Sequence, residues 1–144
     1  MSPLVEGVLA VFEPAVLACL GAGMIVGMLV GMFPGITATM AVALASTFTM
    51  TLDPISGLAV LLTIYVAANF GDRIPSILIN TPGTPASIAT TFDGYPMARN
   101  GQAGLALIVS ALVSAVGILA SVALFATASV PLAQLALRFG PSEM

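Results

Sequence analysis

Residues 14–52 read PAVLACLGAGMIVGMLVGMFPGITATMAVALASTFTMTL, and these 39 positions between Glu13 and Asp53 carry no charge. As a single helix the stretch would be roughly 58 Å long, about twice the hydrocarbon core of a bilayer. The chain must therefore fold back. Pro34-Gly35 is the predicted break, because proline disfavours helix before it and glycine readily ends one. This predicts a membrane span at about 15–33 and a shorter segment at about 37–52.

The composition of the whole chain indicates the same class of protein. Its 144 residues include three basic and six acidic side chains, and 59% are hydrophobic. So few charges cannot form the polar surface of a soluble domain, and so much apolar sequence excludes a disordered tail. Nucleic-acid binding is excluded too, because the net charge is −3. The predicted fold class is an all-α integral membrane protein, with residues 1–144 forming a single membrane domain.

Two further uncharged stretches predict the remaining spans, a short third helix at about 55–70 and a long fourth at about 102–129. We expect Pro131 to bend or end the fourth. Within the first span, Gly23, Gly27 and Gly31 recur every four residues, with Gly35 next in the series. Such spacing places the glycines on one face of a helix, where a second helix can approach closely in lipid.

The segment at 74–92, IPSILINTPGTPASIATTF, is also uncharged, but three prolines and one glycine interrupt it. Irregular backbone at membrane depth is tolerated only inside protein or beside a watery cavity. The sequence therefore predicts a broken or re-entrant segment with its tip at Pro82-Gly83.

A short helix is predicted to follow this tip. Thr84 is a suitable N-cap and Pro85 a suitable first residue, so the helix is expected over about 86–92. The sequence Asp93-Gly94-Tyr95-Pro96 then predicts a turn.

The two Pro-Gly tips together indicate a binding site. Paired broken segments are the sequence pattern of a transporter's binding site, and a helix N-terminus offers partial positive charge and free N–H donors to a carboxylate. Arg73 is a candidate countercharge for an anion, with an interfacial ion pair to Asp72 as the alternative. The predicted substrate-binding residues are Pro34, Gly35, Thr37, Arg73, Asn80, Thr81, Pro82, Gly83, Thr84 and Ser87.

The sequence offers few residues suited to cation binding, metal binding or catalysis. Asp53 and Asp93 are weaker candidates for binding a coupling cation, with turn or capping roles as the alternative. The chain has no histidine, and Cys19 is its single cysteine. We therefore expect no metal site, no cofactor and no internal disulfide. An enzyme is disfavoured because no nucleophile and base occur at helical spacing. The first residues also lack the basic start of a secretory signal peptide.

Residues 27–35 (GMLVGMFPG) and 77–98 (ILINTPGTPASIATTFDGYPMA) resemble the large membrane subunit of tripartite tricarboxylate transporters, the TctA family. Leu52-Asp53-Pro54 and residues 132–141 (LAQLALRFGP) are similar to other parts of the same subunit, so the resemblance covers about 21–141. The chain departs from the family at Thr37-Ala38, where Gly-Pro is frequent. It also departs at Thr47, where proline is frequent, and at Gly71-Asp72-Arg73, where Gly-Gly-Ser is common.

This resemblance implies secondary transport of a tri- or dicarboxylate across the bacterial inner membrane, coupled to a proton or sodium gradient and without a cofactor. It also implies three partners: a small membrane subunit, a periplasmic substrate-binding protein and the lipid bilayer. It further implies that this chain is the N-terminal portion of a longer subunit with two related halves.

The alternative is a helical assembly subunit that contains no transport pathway. On that hypothesis, changes in the Pro-Gly loops would leave function intact. Substitution of Gly27 or Gly31 by leucine would abolish it.

Overall fold

The computed structural model describes residue 7 and residues 9–136, and every regular element in that part of the chain is a helix. This confirms the predicted all-α fold. The helices are α1 (Pro14–Gly31), α2 (Ala38–Thr49), α3 (Pro54–Gly71), α4 (Arg73–Ile79), α5 (Pro85–Met97) and α6 (Ala103–Ala136), and a π-helical turn (Ala98–Gln102) joins the last two.

Three helical stretches among the described residues are long and apolar enough to cross a membrane, namely Pro14–Gly31, Pro54–Ile79 and Pro85–Ser129. The first and third predicted spans therefore agree with α1 and α3 to within two residues. Helix α2 has 12 residues, which corresponds to about 18 Å and is short of the hydrocarbon core. It is a short apolar helix that returns the chain between α1 and α3.

The chain divides into two compact units, residues 1–107 and 108–144. The first unit contains α1 to α5 and the beginning of α6. In the second unit the described residues belong to the rest of α6, which exposes large apolar side chains such as Leu119 and Phe125. A helix that is apolar on all sides suits lipid or other membrane helices. Pro131 does not end α6, because a proline removes one hydrogen bond and membrane helices tolerate that loss.

Helices α1 and α3 pack with their backbones almost in contact along the glycine face. A Cβ atom on Gly27 would lie 2.6 Å from the carbonyl oxygen of Ile64, and one on Gly31 would overlap the carbonyl of Ala68. On the other side, a Cβ atom on Gly71 would lie 2.5 Å from the carbonyl oxygen of Met28. Each contact leaves no room for a side chain, so the predicted close packing of this face is confirmed.

The order of these contacts fixes the direction of the helices. The positions on α1 and their neighbours on α3 advance together, with Gly23 beside Val60, Gly27 beside Ile64 and Gly31 beside Ala68. Helices α1 and α3 therefore run parallel, and the carboxyl ends of both lie at the same level. Gly57, near the start of α3, lies against the Thr49 carbonyl at the end of α2, as expected if α2 runs back between them.

Gly35 does not extend the glycine face, contrary to the sequence prediction. Helix α1 ends at Gly31, and the next residue, Met32, is its C-cap. Gly35 has a φ of +95° and open space around its missing side chain. Its role is therefore to let the chain turn, because glycine adopts positive φ without steric cost.

The predicted turn at 93–96 is wrong, because α5 continues through it to Met97. Proline has a helical φ, and although it removes one hydrogen bond and crowds the carbonyl four residues earlier, it can kink a helix without ending it, and Pro96 does not end α5. Gly94 is buried against Ile77 of α4, with the space for a Cβ only 2.8 Å from Cγ1 of that side chain. This packing keeps the segment helical, and the irregularity appears later, at the π-helical turn where Gly101 has a φ of +78°.

Alanine substitutions in α1 test the glycine face. Gly27→Ala places a methyl group against the backbone of α3 and should lower the unfolding free energy by about 1–3 kcal/mol. Gly21→Ala is the matched control, since its side chain would meet open space and alanine has the higher helix propensity. Thermal unfolding of both variants in detergent measures the difference. Equal midpoints for the two variants would contradict this packing.

Candidate functional site

The two Pro-Gly tips lie against each other. A Cβ atom built on Gly83, in the second tip, would be 3.7 Å from the backbone nitrogen of Gly35 in the first. Both glycines belong to the unit formed by residues 1–107. The meeting follows from the parallel arrangement of α1 and α3, since the first tip follows α1 directly and the second lies beside the end of α3.

The backbone of the second loop folds back along α4. Helix α4 ends at Ile79, and its C-cap Asn80 has left-handed backbone angles of φ 56° and ψ 36°. The N–H of Thr81 then donates to the carbonyl of Pro75 at 3.4 Å. Two residues later, the N–H of Gly83 reaches Asp72, which directly precedes α4. As a result, α5 begins beside the start of α4 and not beside its end.

A buried carboxylate holds this arrangement. Asp72 is only 2% exposed. Its Oδ1 accepts a hydrogen bond of 2.7 Å from the N–H of Gly83, and its Oδ2 accepts one of 2.6 Å from the Thr84 hydroxyl. The fully buried Ser76 hydroxyl donates to the main-chain carbonyl of Asp72 at 2.7 Å. Asp72 thus connects the junction of α3 and α4 to the first residues of α5.

Sequence reasoning missed this role of Asp72 and considered it as a partner of Arg73 or as a weak candidate for binding a coupling cation. The ion pair between the two stays a prediction. A signal was present, because an ionisable residue at the end of an apolar span and before a broken segment is a functional candidate. The distant partners, 11 and 12 residues further along, were not evident from spacing.

The N-terminus of α5 is capped as the sequence predicts. Thr84 and Ser87 form a capping box, in which the N–H of Ser87 donates to the Thr84 hydroxyl at 3.4 Å and the N–H of Thr84 to the Ser87 hydroxyl at 3.3 Å. The Ser87 hydroxyl itself donates to the Thr84 carbonyl at 2.8 Å. The donors of Gly83, Thr84 and Ser87 are therefore engaged within the protein, and an incoming carboxylate would have to displace Asp72 to use the first two.

The other predicted substrate-binding residues lie in or next to the two loops, in different local settings. Thr37 N-caps α2, accepting a hydrogen bond of 3.2 Å from the N–H of Met40. Pro34 is exposed in the first tip, and Asn80 is exposed in the second loop. The exposed Thr81 donates its hydroxyl to the Ile79 carbonyl at 3.1 Å. Thr37 is half-buried, as are Arg73, at the start of α4, and Pro82, beside Gly83.

The two candidate cation ligands lie in different settings. Asp53 N-caps α3, and its Oδ2 accepts a hydrogen bond of 3.0 Å from the N–H of Ser56. That bond lowers the pKa of Asp53 below its ordinary value. Asp93 is exposed on α5. Among the residues that the structure describes, no three histidine, cysteine or acidic side chains gather as a metal site would require. Cation binding by these acids stays a prediction.

An open cavity of about 500 Å³ lies at the other end of α5, lined by Tyr95, Pro96, Arg99 and Asn100. Tyr95 is 11 residues beyond Thr84, roughly 16 Å along a helix. The cavity is therefore distinct from the two Pro-Gly tips.

In the part of the chain that the structure describes, every regular element is a helix, and three stretches are long and apolar enough to cross a bilayer, which defines an integral membrane protein. The sequence matches the model of the tripartite tricarboxylate transporter TctA family over residues 17–144, and the chain belongs to that family. The resemblance seen in the sequence is thereby confirmed.

The chain is also similar to a protein of Agrobacterium vitis described as an uncharacterized 52.8 kDa protein in the TAR-I ttuC' 3' region. The two are 45% identical over 107 residues, which is 74% of this chain and 21% of the relative. The aligned part of the chain thus corresponds to about a fifth of the length of this curated relative. No solved structure matches the chain.

The cap at Asp53 predicts a dependence of stability on pH. A carboxyl group with a lowered pKa in the folded state adds stability above its ordinary pKa of 3.8, and this is lost as the pH falls through the lower folded-state pKa. Unfolding midpoints of the wild type and Asp53→Asn, compared from neutral pH downwards, should therefore converge in acid. A difference that stays constant over the whole range would contradict the capping role of the charge.

Proposed function

We propose that this chain forms part of the membrane subunit of a tripartite transporter that moves a tri- or dicarboxylate across the bacterial inner membrane. The observation that carries the proposal is the meeting of the two Pro-Gly tips, with Gly83 packed against the backbone of Gly35. Membership of the TctA family supports the same conclusion.

The physical reasoning starts from the backbone. Interrupted helices in a membrane protein place polar backbone groups where they can be shielded by protein or face a cavity that takes up a substrate. The N-terminal end of α5 adds the positive end of a helix dipole, and Arg73 adds a formal positive charge nearby in sequence. Because the Asp72 carboxylate already accepts from donors at the start of α5, Arg73 is the charge that favours an anion over a neutral or cationic substrate.

The carboxylate is expected to contact the exposed groups of the tips. Since Asp72 occupies the donors of Gly83 and Thr84, the side chains left facing outward in the second loop are those of Asn80 and Thr81. Amide and hydroxyl groups donate hydrogen bonds to carboxylate oxygens without adding charge. We assign the first contact with the substrate to Asn80.

Movement of the substrate follows an alternating-access cycle in which one group of helices moves against another around the tips. A gradient of protons or sodium ions drives the cycle, with Asp53 and Asp93 as the candidate acids. A periplasmic binding protein delivers the substrate, and a small membrane subunit completes the assembly.

A purely assembling subunit is the second candidate, and the glycine face was its expected signature. In the structure that face is filled by α3 of the same chain. Leucine at Gly27 or Gly31 would disrupt the fold on either hypothesis, so these variants do not separate the two functions. Changes at the tips do.

Asn80 offers a matched pair of variants for this test. Asn80→Gly removes the amide but permits the left-handed backbone, whereas Asn80→Ala removes the amide and disfavours that backbone. Uptake of labelled tri- and dicarboxylates is measured in proteoliposomes that contain the complete subunit and its partners. Loss of one hydrogen bond to a charged substrate should reduce uptake by roughly tenfold or more in both variants.

Gly117→Ala on α6 is the control, because its side chain would meet open space. Full uptake by Asn80→Gly, with loss only in Asn80→Ala, would show that the amide does not contact the substrate and that Asn80 matters only for its backbone conformation. Absence of carboxylate uptake by the unmutated transporter would overturn the proposed function.

A further inference from the structure

The carboxylate of Asp72 is buried, which is normally unfavourable for a charged group in a membrane protein. Its side chain is 2% exposed in the described fold, and a buried carboxylate is costly unless hydrogen bonds compensate for the lost water. The two donors that compensate come from consecutive residues of one loop, Gly83 and Thr84. The charge and the loop therefore stabilise each other.

The contact is too close to be a general attraction between a charge and a helix end. A Cβ atom at position 83 would lie 2.7 Å from Oδ1 of Asp72, so the loop backbone packs directly against the carboxylate. The same Cβ atom would lie 3.7 Å from the backbone nitrogen of Gly35. The Asp72 carboxylate and the first Pro-Gly tip therefore both lie beside Gly83.

We propose that Asp72 is the positioning residue of the candidate site, and that its carboxylate holds the second Pro-Gly tip against the first. The expected effect of Asp72 on transport rests on the proposed function, whereas its contacts with the second loop do not depend on transport. Asp72 acts through Gly83 and Thr84 and does not contact the substrate. Each of its oxygens accepts from one donor, so the placement requires a carboxylate and not a single acceptor.

The two-oxygen requirement makes the proposal chemically specific. In Asp72→Ala the donors of Gly83 and Thr84 lose their acceptors, while a small space remains where the carboxylate lay. Formate supplies the same two oxygens without the covalent link. In Asp72→Asn the amide oxygen can accept only in place of one carboxylate oxygen, because the NH₂ group cannot accept.

The first experiment measures the unfolding midpoint of the complete subunit in detergent with increasing sodium formate, and with sodium chloride at equal ionic strength. Asp72→Ala should unfold at a lower temperature than the wild type and recover at least half of the difference in formate alone. The wild type and Glu13→Ala should show no formate-specific change, since Glu13 makes no side-chain cap bond. A response that is absent in Asp72→Ala, or equal in all three proteins, overturns the proposal.

A second pair of variants covers the case in which Asp72→Ala fails to accumulate. Thr84→Val removes the hydroxyl that donates to Oδ2 and accepts from the Ser87 N–H, whereas Thr84→Ser keeps both bonds. The valine variant should unfold at a lower temperature and the serine variant close to the wild type. Equal loss in both variants would show that the methyl packing of Thr84 matters and not its bond to Asp72, and would overturn the proposal.

Transport is then compared under the same conditions. Carboxylate uptake by the Asp72→Ala variant should fall roughly tenfold or more, and formate should restore part of it. If formate restores the unfolding midpoint while the unmutated transporter takes up no carboxylate, the positioning role stands and the proposed function fails. If uptake is normal in Asp72→Ala, the positioning role fails and the proposed function stands.

Discussion

The close approach of the α1 and α3 backbones determines the rest of this unit. Glycine lets the helices touch, and the order of the contacts shows that they run parallel, with the end of α1 beside the end of α3. The first Pro-Gly tip follows Gly31 by a few residues, and Asp72 follows Gly71 directly. Both therefore arrive at the same level of the fold, and the meeting of the tips is a consequence of helix packing earlier in the chain.

Much of the fold was predictable because it depends on local rules. The uncharged stretches between acidic residues located α1 and α3 to within two residues, since spans in lipid must be long and apolar. Thr84 and Pro85 located the start of α5 for a similar reason, because a cap and an N-terminal proline act within one turn. The glycine spacing identified a packing face, although not the helix that would fill it.

The features that sequence reasoning missed depend on contacts between distant residues. The continuation of α5 past Asp93-Gly94-Tyr95-Pro96 reflects packing of Gly94 against Ile77, which outweighs the local preference for a turn. The role of Asp72 depends on a loop that folds back by 11 and 12 residues to reach it. Neither relation has a fixed spacing, so neither is visible from the sequence alone.

The space around Gly83 has a consequence for how this part of the sequence can vary. While position 72 carries a carboxylate in its present place, position 83 has no room for any side chain, because even a methyl carbon would collide with Oδ1. A larger residue at position 83 becomes sterically acceptable only after a smaller one replaces Asp72. The two positions are therefore coupled, and the effect of a substitution at position 83 is expected to depend on which residue occupies position 72.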